Sequence, residues 1–277
     1  MSQLLEEILA RDNMLLAYKK VKANGGASGI DGVTTGEVRD YLIKNWTSIR
    51  ERIRERKYRP QPVLRVEIPK PNGGVRKLGI PTVVDRVIEQ AIVQVLTPIV
   101  EPHFSEYSYG FRPRRCAQQA VLKLLEYFND GYTYVVDIDL EKFFDNVPQD
   151  KLMTLVRSII HDPDTESLIH KYLKAGVMVK GKYEATDVGT PQGGNLSPLL
   201  SNIMLNELDK ELEEYLAELQ RKNQEKMESG DWLWPISLND YQRCSSGFGW
   251  RLLYGVWDYH RGWDLAAYRG TPIYASK

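Results

Sequence analysis

Asp137 and Asp139 sit two positions apart inside the run YVVDIDLEKFFDNV, from Tyr134 to Val147. Val135 and Val136 are β-branched and aromatics flank the run, so its alternation predicts a buried strand that carries carboxylates to the mouth of a site. Acids are rarely buried without a partner, and such a placement needs a reason. One reason is structural, a helix N-cap or a salt bridge. The other is a hard cation. Carboxylate oxygens suit Mg²⁺, which takes one or two protein carboxylates and leaves its other positions to water and phosphate. Alternation points Asp137 away from Asp139, which makes Asp139 the stronger candidate ligand.

The elements that must hold this acid follow from the rest of the chain. Its 277 residues give ample length for a core, as one large domain or two smaller ones. No apolar run approaches the roughly 20 residues of a membrane-spanning helix, and the N-terminal MSQLLEEILARD is amphipathic and acidic rather than a secretory signal. Cys116 and Cys244 lie far apart, so the expectation is a reduced, cytoplasmic protein with no membrane partner. The balance of 37 basic and 37 acidic residues hides an uneven distribution. From Arg50 to Lys77 the cations Arg50, Arg52, Arg54, Arg56, Lys57, Arg59, Arg65, Lys70, Arg76 and Lys77 face only Glu51, Glu55 and Glu67. Such a block is the footprint of a polyanion partner or a solvated face.

Helical spacing runs from Gln3 to about Asn24 and stops at Gly25-Gly26. SGIDGVT then forms a glycine-rich turn, and Thr35–Arg56 reads as a second helix with a basic outer face. Val63–Pro69 alternates as a strand, Pro71-Asn72-Gly73-Gly74 is hairpin chemistry, and Val75–Ile80 returns as the partner. Lys70 and Arg76 flank that turn, either as edge-strand cations that discourage aggregation or as a finger closing over a triphosphate. Thr82 and Asp85 open an apolar helix in a capping-box-like start. Tyr107, Tyr109 and Phe111 interleave with Arg112, Arg114 and Arg115, which suits base stacking and phosphate binding as well as a core-and-rim loop. Further helices are expected over Gln118–Phe128, Gln149–Ile160 and Thr165–Ala175, and a short hairpin over Val177–Ala185. The glycines of Gly189–Gly194 bring exposed backbone near a ligand or a strand. Asn195 or Ser197 then caps a helix with Pro198 in its first turn. Leu205, Leu208, Leu212, Tyr215 and Leu219 continue it as a coiled-coil-like seam.

In order and spacing, four segments resemble successive blocks of group II intron reverse transcriptases, the intron-encoded maturases. They are RKYRPQPVLRVEIPKPNGGVRKLGIPTVVDRVIEQA, SYGFRPRRCAQQA, VVDIDLEKFFDNV and GTPQGGNLSPLLSNIMLNELD. SGIDGVT resembles that family's N-terminal extension, so the likeness covers about residues 1–214. The resemblance implies an α+β fold with right-hand polymerase fingers and an incomplete palm. It makes Asp139 catalytic, ligating Mg²⁺ with help from the Leu140 carbonyl, and Phe144, five positions on, the gate that favours dNTPs. Lys70 and Arg76 would hold the triphosphate, and Pro191 and Gln192 would line the nucleotide pocket. Arg56, Lys57, Arg59, Arg65, Arg112, Arg114 and Arg115 would grip RNA. The implied partners are template or intron RNA, a DNA primer and dNTP.

A complete palm also needs a Y-x-D-D type hairpin soon after the Leu196–Glu214 helix, and this chain has no Asp-Asp dipeptide. With one carboxylate in place, two-metal polymerisation is expected to fail. The last segment resembles the start of M23 (lysostaphin-like) zinc peptidases, through Trp234-Pro235, Ser245–Arg251 (SSGFGWR), His260-x-Gly262-x-Asp264 and Gly270–Ala275 (GTPIYA). That likeness implies His260 and Asp264 as two Zn²⁺ ligands, without the family's later H-x-H, hence an incomplete zinc site. The expected organisation is an N-terminal extension and fingers over 1–130, a partial palm over 131–214, a helical linker over 215–231 and a small β-rich peptidase-like fragment over 232–277. Three activities compete: a reverse transcriptase fragment that does not polymerise, a non-catalytic intron-RNA-binding splicing factor, and a zinc peptidase fragment.

Overall fold

The structure is a computed structural model that describes residues 2–69, 73–132, 135–190 and 193–228, with strands at 241–246, 249–253, 256–260 and 264–267. Lys70, Pro191 and Gln192, three of the expected nucleotide-binding residues, lie outside the described residues. Contacts divide the chain into two compact units, Met1–Pro113 with Leu140–Leu208, and Arg114–Asp139 with Asp209–Lys277. In chain order the elements are α1 (Gln3–Ile8), α2 (Arg11–Asn24), α3 (Val38–Arg54), β1 (Val63–Pro69), β2 (Val75–Ile80), α4 (Val83–Val100), α5 (Ala117–Asn129), α6 (Phe143–Asn146), α7 (Gln149–Ile160), α8 (Pro163–Leu173), β3 (Val177–Val179), β4 (Lys182–Glu184), α9 (Ser197–Glu228) and β5 to β8 (Tyr241–Ser246, Gly249–Leu253, Val256–His260, Asp264–Ala267). The mixture is α+β, as expected.

The first unit is built around α4. Val83, Val87, Ile88, Ala91, Ile92, Leu96 and Val100 are fully buried along it, so it is apolar nearly all round, as a helix enclosed by others must be. It packs against α1, α2, α3 and α7. The single N-terminal helix expected to Asn24 is two helices. Ala10 is extended at ψ 141°, and Asn13 Nδ2 folds back to donate to the Ile8 carbonyl at 2.8 Å. Asparagine competes with the backbone for hydrogen bonds in this way, which is why it breaks helices near their starts. Ahead of α3, Thr34 and Glu37 form a reciprocal box: each backbone N–H donates to the other side chain, at 3.1 and 3.3 Å.

The sheet runs β2-β1-β3-β4. β1 and β2 are antiparallel with Ile68 opposite Arg76, and β1 and β3 are parallel with Val63 opposite Val177. Both expected hairpins are present. The strand expected from Tyr134 is absent where described. Residues 135–140 take no regular structure, and Val136 and Ile138 are 83% and 63% exposed. An extended segment is a strand only when its N–H and C=O groups join a ladder. Every described strand is paired elsewhere, and none pairs with this segment.

The SGIDGVT turn is fixed from α4. Arg86 donates through its two terminal nitrogens to the carbonyls of Gly25 at 3.2 Å and Ala27 at 2.6 Å. A Cβ on Gly29 would lie 2.7 Å from both Cα and N of Thr82, backbone atoms that cannot rotate away. Gly29→Ala should therefore cost about 1–3 kcal/mol, the range of overpacking. Gly110→Ala, whose Cβ meets nothing within 4 Å, should be neutral. Thermal unfolding followed by circular dichroism compares the two, and equal midpoints would disprove the close approach.

Candidate nucleotide and nucleic-acid interface

The loop after β4 passes three elements of the first unit. Gly189 N–H donates to the Val147 carbonyl at 2.8 Å, and Thr190 N–H donates to the Phe144 carbonyl at 2.7 Å. Gln149, buried at the start of α7, donates through Nε2 to the carbonyls of Gly189 at 2.9 Å and Leu173 at 3.1 Å. At Gly193, φ is +106°, and a Cβ there would lie 2.1 Å from the Gly79 carbonyl oxygen of β2. Only glycine satisfies both conditions. The chain then meets α4, where Glu89 Oε2 accepts the Asn195 N–H at 2.7 Å and Asn195 Nδ2 donates to Gln90 Oε1 at 3.2 Å. Phe144 is half-buried, its ring edge-to-face with Phe143 at 5.6 Å. The expected sugar gate and the two ends of the glycine loop are thus tied together and braced on the hairpin.

Two buried acids on α4 hold this frame, and they are one turn apart. Asp85 accepts hydrogen bonds from the Tyr58 hydroxyl at 2.7 Å, the Thr82 hydroxyl at 2.7 Å, the Gln61 N–H at 3.0 Å and the Tyr172 hydroxyl at 3.3 Å. Burial pushes its carboxyl up against the pull of those four bonds, and pushes the Tyr58 and Tyr172 hydroxyls well up too. Burial, and then the nearby Asp85, push Glu89 up to about 8, opposed by the N–H groups of Asn195 and Leu196. The sequence shows Thr82-x-x-Asp85 as a cap, and Asp85 N–H does donate to Thr82 Oγ1 at 3.1 Å. The other partners of Asp85, and all those of Glu89, are distant in sequence and gave no local signal.

The expected RNA-binding cations divide into two groups. Arg59 and Arg76 are exposed and Arg65 is half-buried, and none has an acidic partner among the described residues. Lys57 is exposed beside Glu55 at 2.9 Å. Arg56 is committed instead, donating through Nε to Asp164 at 2.7 Å, and that guanidinium holds the Asp164 carboxyl below its usual range. Arg112 departs furthest from its expected role. It is 7% exposed, pairs with Glu101 at 2.9 Å, and donates to the carbonyls of Ser105 and, at 3.0 Å, Ser108. A guanidinium with four of its five N–H groups so engaged latches its loop and has little left to offer a phosphate. In the second unit Arg114 is exposed at φ +60° and Arg115 is half-buried with a partner.

Metal chemistry finds less support. Asp139 is exposed, Leu140 is 44% exposed, and no group of three His, Cys, Asp or Glu residues that could hold a metal occurs among the described residues. One exposed carboxylate does not fit a two-ion site, which needs acids from more than one segment. His260 ends β7 opposite Gly249, and Asp264 begins β8 opposite Ser246, in separate two-stranded sheets.

A cationic hairpin, a glycine loop braced on it and a phenylalanine bound to that loop define the fingers side of a right-hand, template-directed polymerase. Residues 68–226 match the family described as reverse transcriptase (RNA-dependent DNA polymerase), which is more than half of the chain, and the chain belongs to that family. It is 39% identical over 215 residues to Protein YkfC of Escherichia coli, covering 76% of this chain and 55% of that protein. It is 36% identical over 227 residues to the group II intron-encoded protein LtrA of Lactococcus lactis, covering 82% of this chain and 38% of that protein. The chain therefore spans between about half and two fifths of these relatives. A solved partial Cas6-RT-Cas1–Cas2 complex shares the fold, with a TM-score of 0.52 and 22% identity over 76% of this chain and 35% of that one.

Glu89 sets a pH dependence. Its folded value of about 8 lies above the ordinary 4.5, so the folded state keeps a proton that the unfolded chain releases. Its contribution is full below the ordinary value and is lost as pH rises through about 8. The unfolding midpoint should fall as pH rises from about 4.5 to about 8, and Glu89→Gln should flatten that fall. An equally steep fall in the variant, by calorimetry, would reject the assignment.

Proposed function

We propose that this chain is an RNA-binding member of the group II intron branch of the reverse transcriptases, holding intron or template RNA without extending a primer. The observation that carries this reading is the contrast between its two halves of chemistry. Arg59, Arg65 and Arg76 stand without acidic partners among the described residues, whereas Asp139 is the acid that fits the polymerase motif by resemblance and the sequence has no Asp-Asp dipeptide. Lys57 and the exposed Arg114 extend the cationic set, while Arg56 and Arg112 support the loops that carry it. Phe144 and the flanks of the glycine loop retain the form of a dNTP pocket, with Lys70, Pro191 and Gln192 completing it by resemblance. Mg²⁺, where bound in such polymerases, activates a primer hydroxyl and stabilises the leaving pyrophosphate; this chain's share of that site is Asp139 and the Leu140 carbonyl. The cytoplasm suits such a binder.

The purified chain should bind single-stranded RNA with a salt dependence of about 0.7 per phosphate contact, and charge reversal of Lys57, Arg59 and Arg76 should lower that slope by about 2. The same protein with Mg²⁺, a primed template and dNTPs should give no extension. Robust incorporation would overturn the binder reading, and salt-insensitive affinity would remove its electrostatic basis.

A second reading rests on the His-x-Gly-x-Asp run at the β7–β8 junction, with His260 and Asp264 as zinc ligands of a peptidase-like tail. Two ligands hold Zn²⁺ weakly. Metal analysis after dialysis should find well under one zinc per chain, and a stoichiometric, His260-dependent zinc would restore the peptidase reading.

A further inference from the structure

The unit formed by Met1–Pro113 and Leu140–Leu208 contains an open cleft of about 540 Å³, a size that accepts a nucleotide. Gln94 of α4 and Glu101, the residue that caps the end of that helix, line it seven residues and so about 10 Å apart. Each presents a buried acceptor without a hydrogen-bond partner, Oε1 of Gln94 and Oε2 of Glu101. The Gln94 orientation is forced. Asn13 Nδ2 donates to the carbonyls of Ile8 and Ala91 at 2.8 and 3.0 Å, which leaves Asn13 Oδ1 to accept from Gln94 Nε2 at 2.7 Å. The Gln94 carbonyl oxygen is then the free end. At Glu101, Oε1 is taken by Arg112 at 3.0 and 2.9 Å, so Oε2 is the free one. Buried acceptors with no donor are costly, and both side chains line the cleft, so turning either occluded oxygen toward it lets a ligand's donor satisfy it.

Two other lining residues identify the ligand class. Phe111 is 78% exposed and sits at φ +54°, an uncommon conformation for a bulky residue that recurs at functional sites. The Arg112 latch fixes its loop, so the ring is offered to the cleft from a fixed backbone as a stacking platform. Lys20 of α2 is exposed and makes no ion pair among the described residues. Among the charged lining residues Arg112 and Glu101 neutralise each other, which leaves Lys20 as the unpaired charge and favours an anionic ligand over a basic peptide. A ribonucleotide carries donors at both ends of a span of this size, the exocyclic amino group and the ribose hydroxyls, and adds a stackable face and a phosphate.

We propose that this cleft binds a single unstacked ribonucleotide of an RNA, its base on Phe111, its donors on Gln94 and Glu101, and its phosphate beside Lys20. The site shares no residue with the glycine loop's dNTP pocket at Phe144 and Gly189–Gly193, and it rests on the reading of this chain as an RNA binder. The test is photolabelling of the full chain with 8-azidoadenosine 5′-monophosphate, followed by peptide mapping. Label should fall on the Phe104–Pro113 loop or on α4, and AMP should compete for it more strongly than dAMP. Phe111→Ala should weaken labelling about 5- to 100-fold, the range for losing one stacking platform, and Lys20→Glu should weaken it mainly at low salt. Both positions are exposed, so the fold is kept. Label elsewhere, or label indifferent to both variants, would overturn the site, as would an arginine-rich peptide that displaces AMP. If RNA affinity still depends on Arg59 and Arg76 while labelling ignores Phe111, the cleft fails and the RNA-binding reading stands. If labelling follows Phe111 but no RNA binds, the cleft takes a free nucleotide, and both the RNA ligand proposed here and the RNA-binding reading fail.

Discussion

Two carboxyl groups buried one turn apart on a largely apolar helix dominate the first unit. Removing an ion from water costs several kcal/mol even after the protein relaxes, so Asp85 and Glu89 are tolerable only because partners are gathered around them. Asp85 collects three hydroxyls and a backbone N–H. Those partners come from the bend before β1, the start of α4 and the end of α8, which fixes all three against one atom pair. Glu89 meets the cost differently, by retaining its proton near neutrality while accepting the N–H groups that open α9. The two solutions are coupled, because a full charge on one raises the cost of a charge on the other.

The candidate interface inherits its geometry from this pair. Gln61 N–H is held by Asp85 two residues before β1 begins, so the root of the cationic hairpin is fixed to the central helix. Asn195 is held by Glu89 just before α9 begins, so the exit of the glycine loop is fixed to the same helix. Between them, Gly193 presses on Gly79 of β2. The hairpin, the loop and Phe144 are thus referenced to one helix, and a site is held precisely when its parts rest on such an element. Arg86 extends the scheme to the N-terminal turn through two carbonyls.

Local chemistry was legible wherever a signal and its cause lie within a few residues. Pro-Asn-Gly-Gly implied a hairpin, and β1 and β2 are its arms; Thr82 implied a helix start, and α4 begins at the next residue. Signals with distant causes were misread. Arg112 looks like a phosphate ligand because its neighbours are tyrosines and arginines, yet Glu101, eleven positions away, consumes it. Gln149 and Glu89 carried no signal, because a buried polar side chain looks like a surface one until its partners are known. The Asn13 break in the first helix was visible as a residue type but not as a bend.

The run at Tyr134–Val147 marks the boundary of what periodicity can establish. Alternation reports that a segment has one face to cover, and it is silent about what covers it. The same holds for α5, whose pattern is strongly amphipathic although none of its residues is buried and Leu122 is 60% exposed. It holds again for the α9 seam, where Leu212 and Tyr215 are 45% and 58% exposed. Three patterns each imply an apolar face, and among the described residues none of those faces becomes a core. In the first unit the same kinds of pattern do become a core, because α4 supplies a surface for each helix around it. What separates the two cases is the partner and not the pattern. Asp139 is governed by this difference: its carboxylate belongs to a segment whose sequence is written for a sheet, and its chemistry depends on the strands that would complete one.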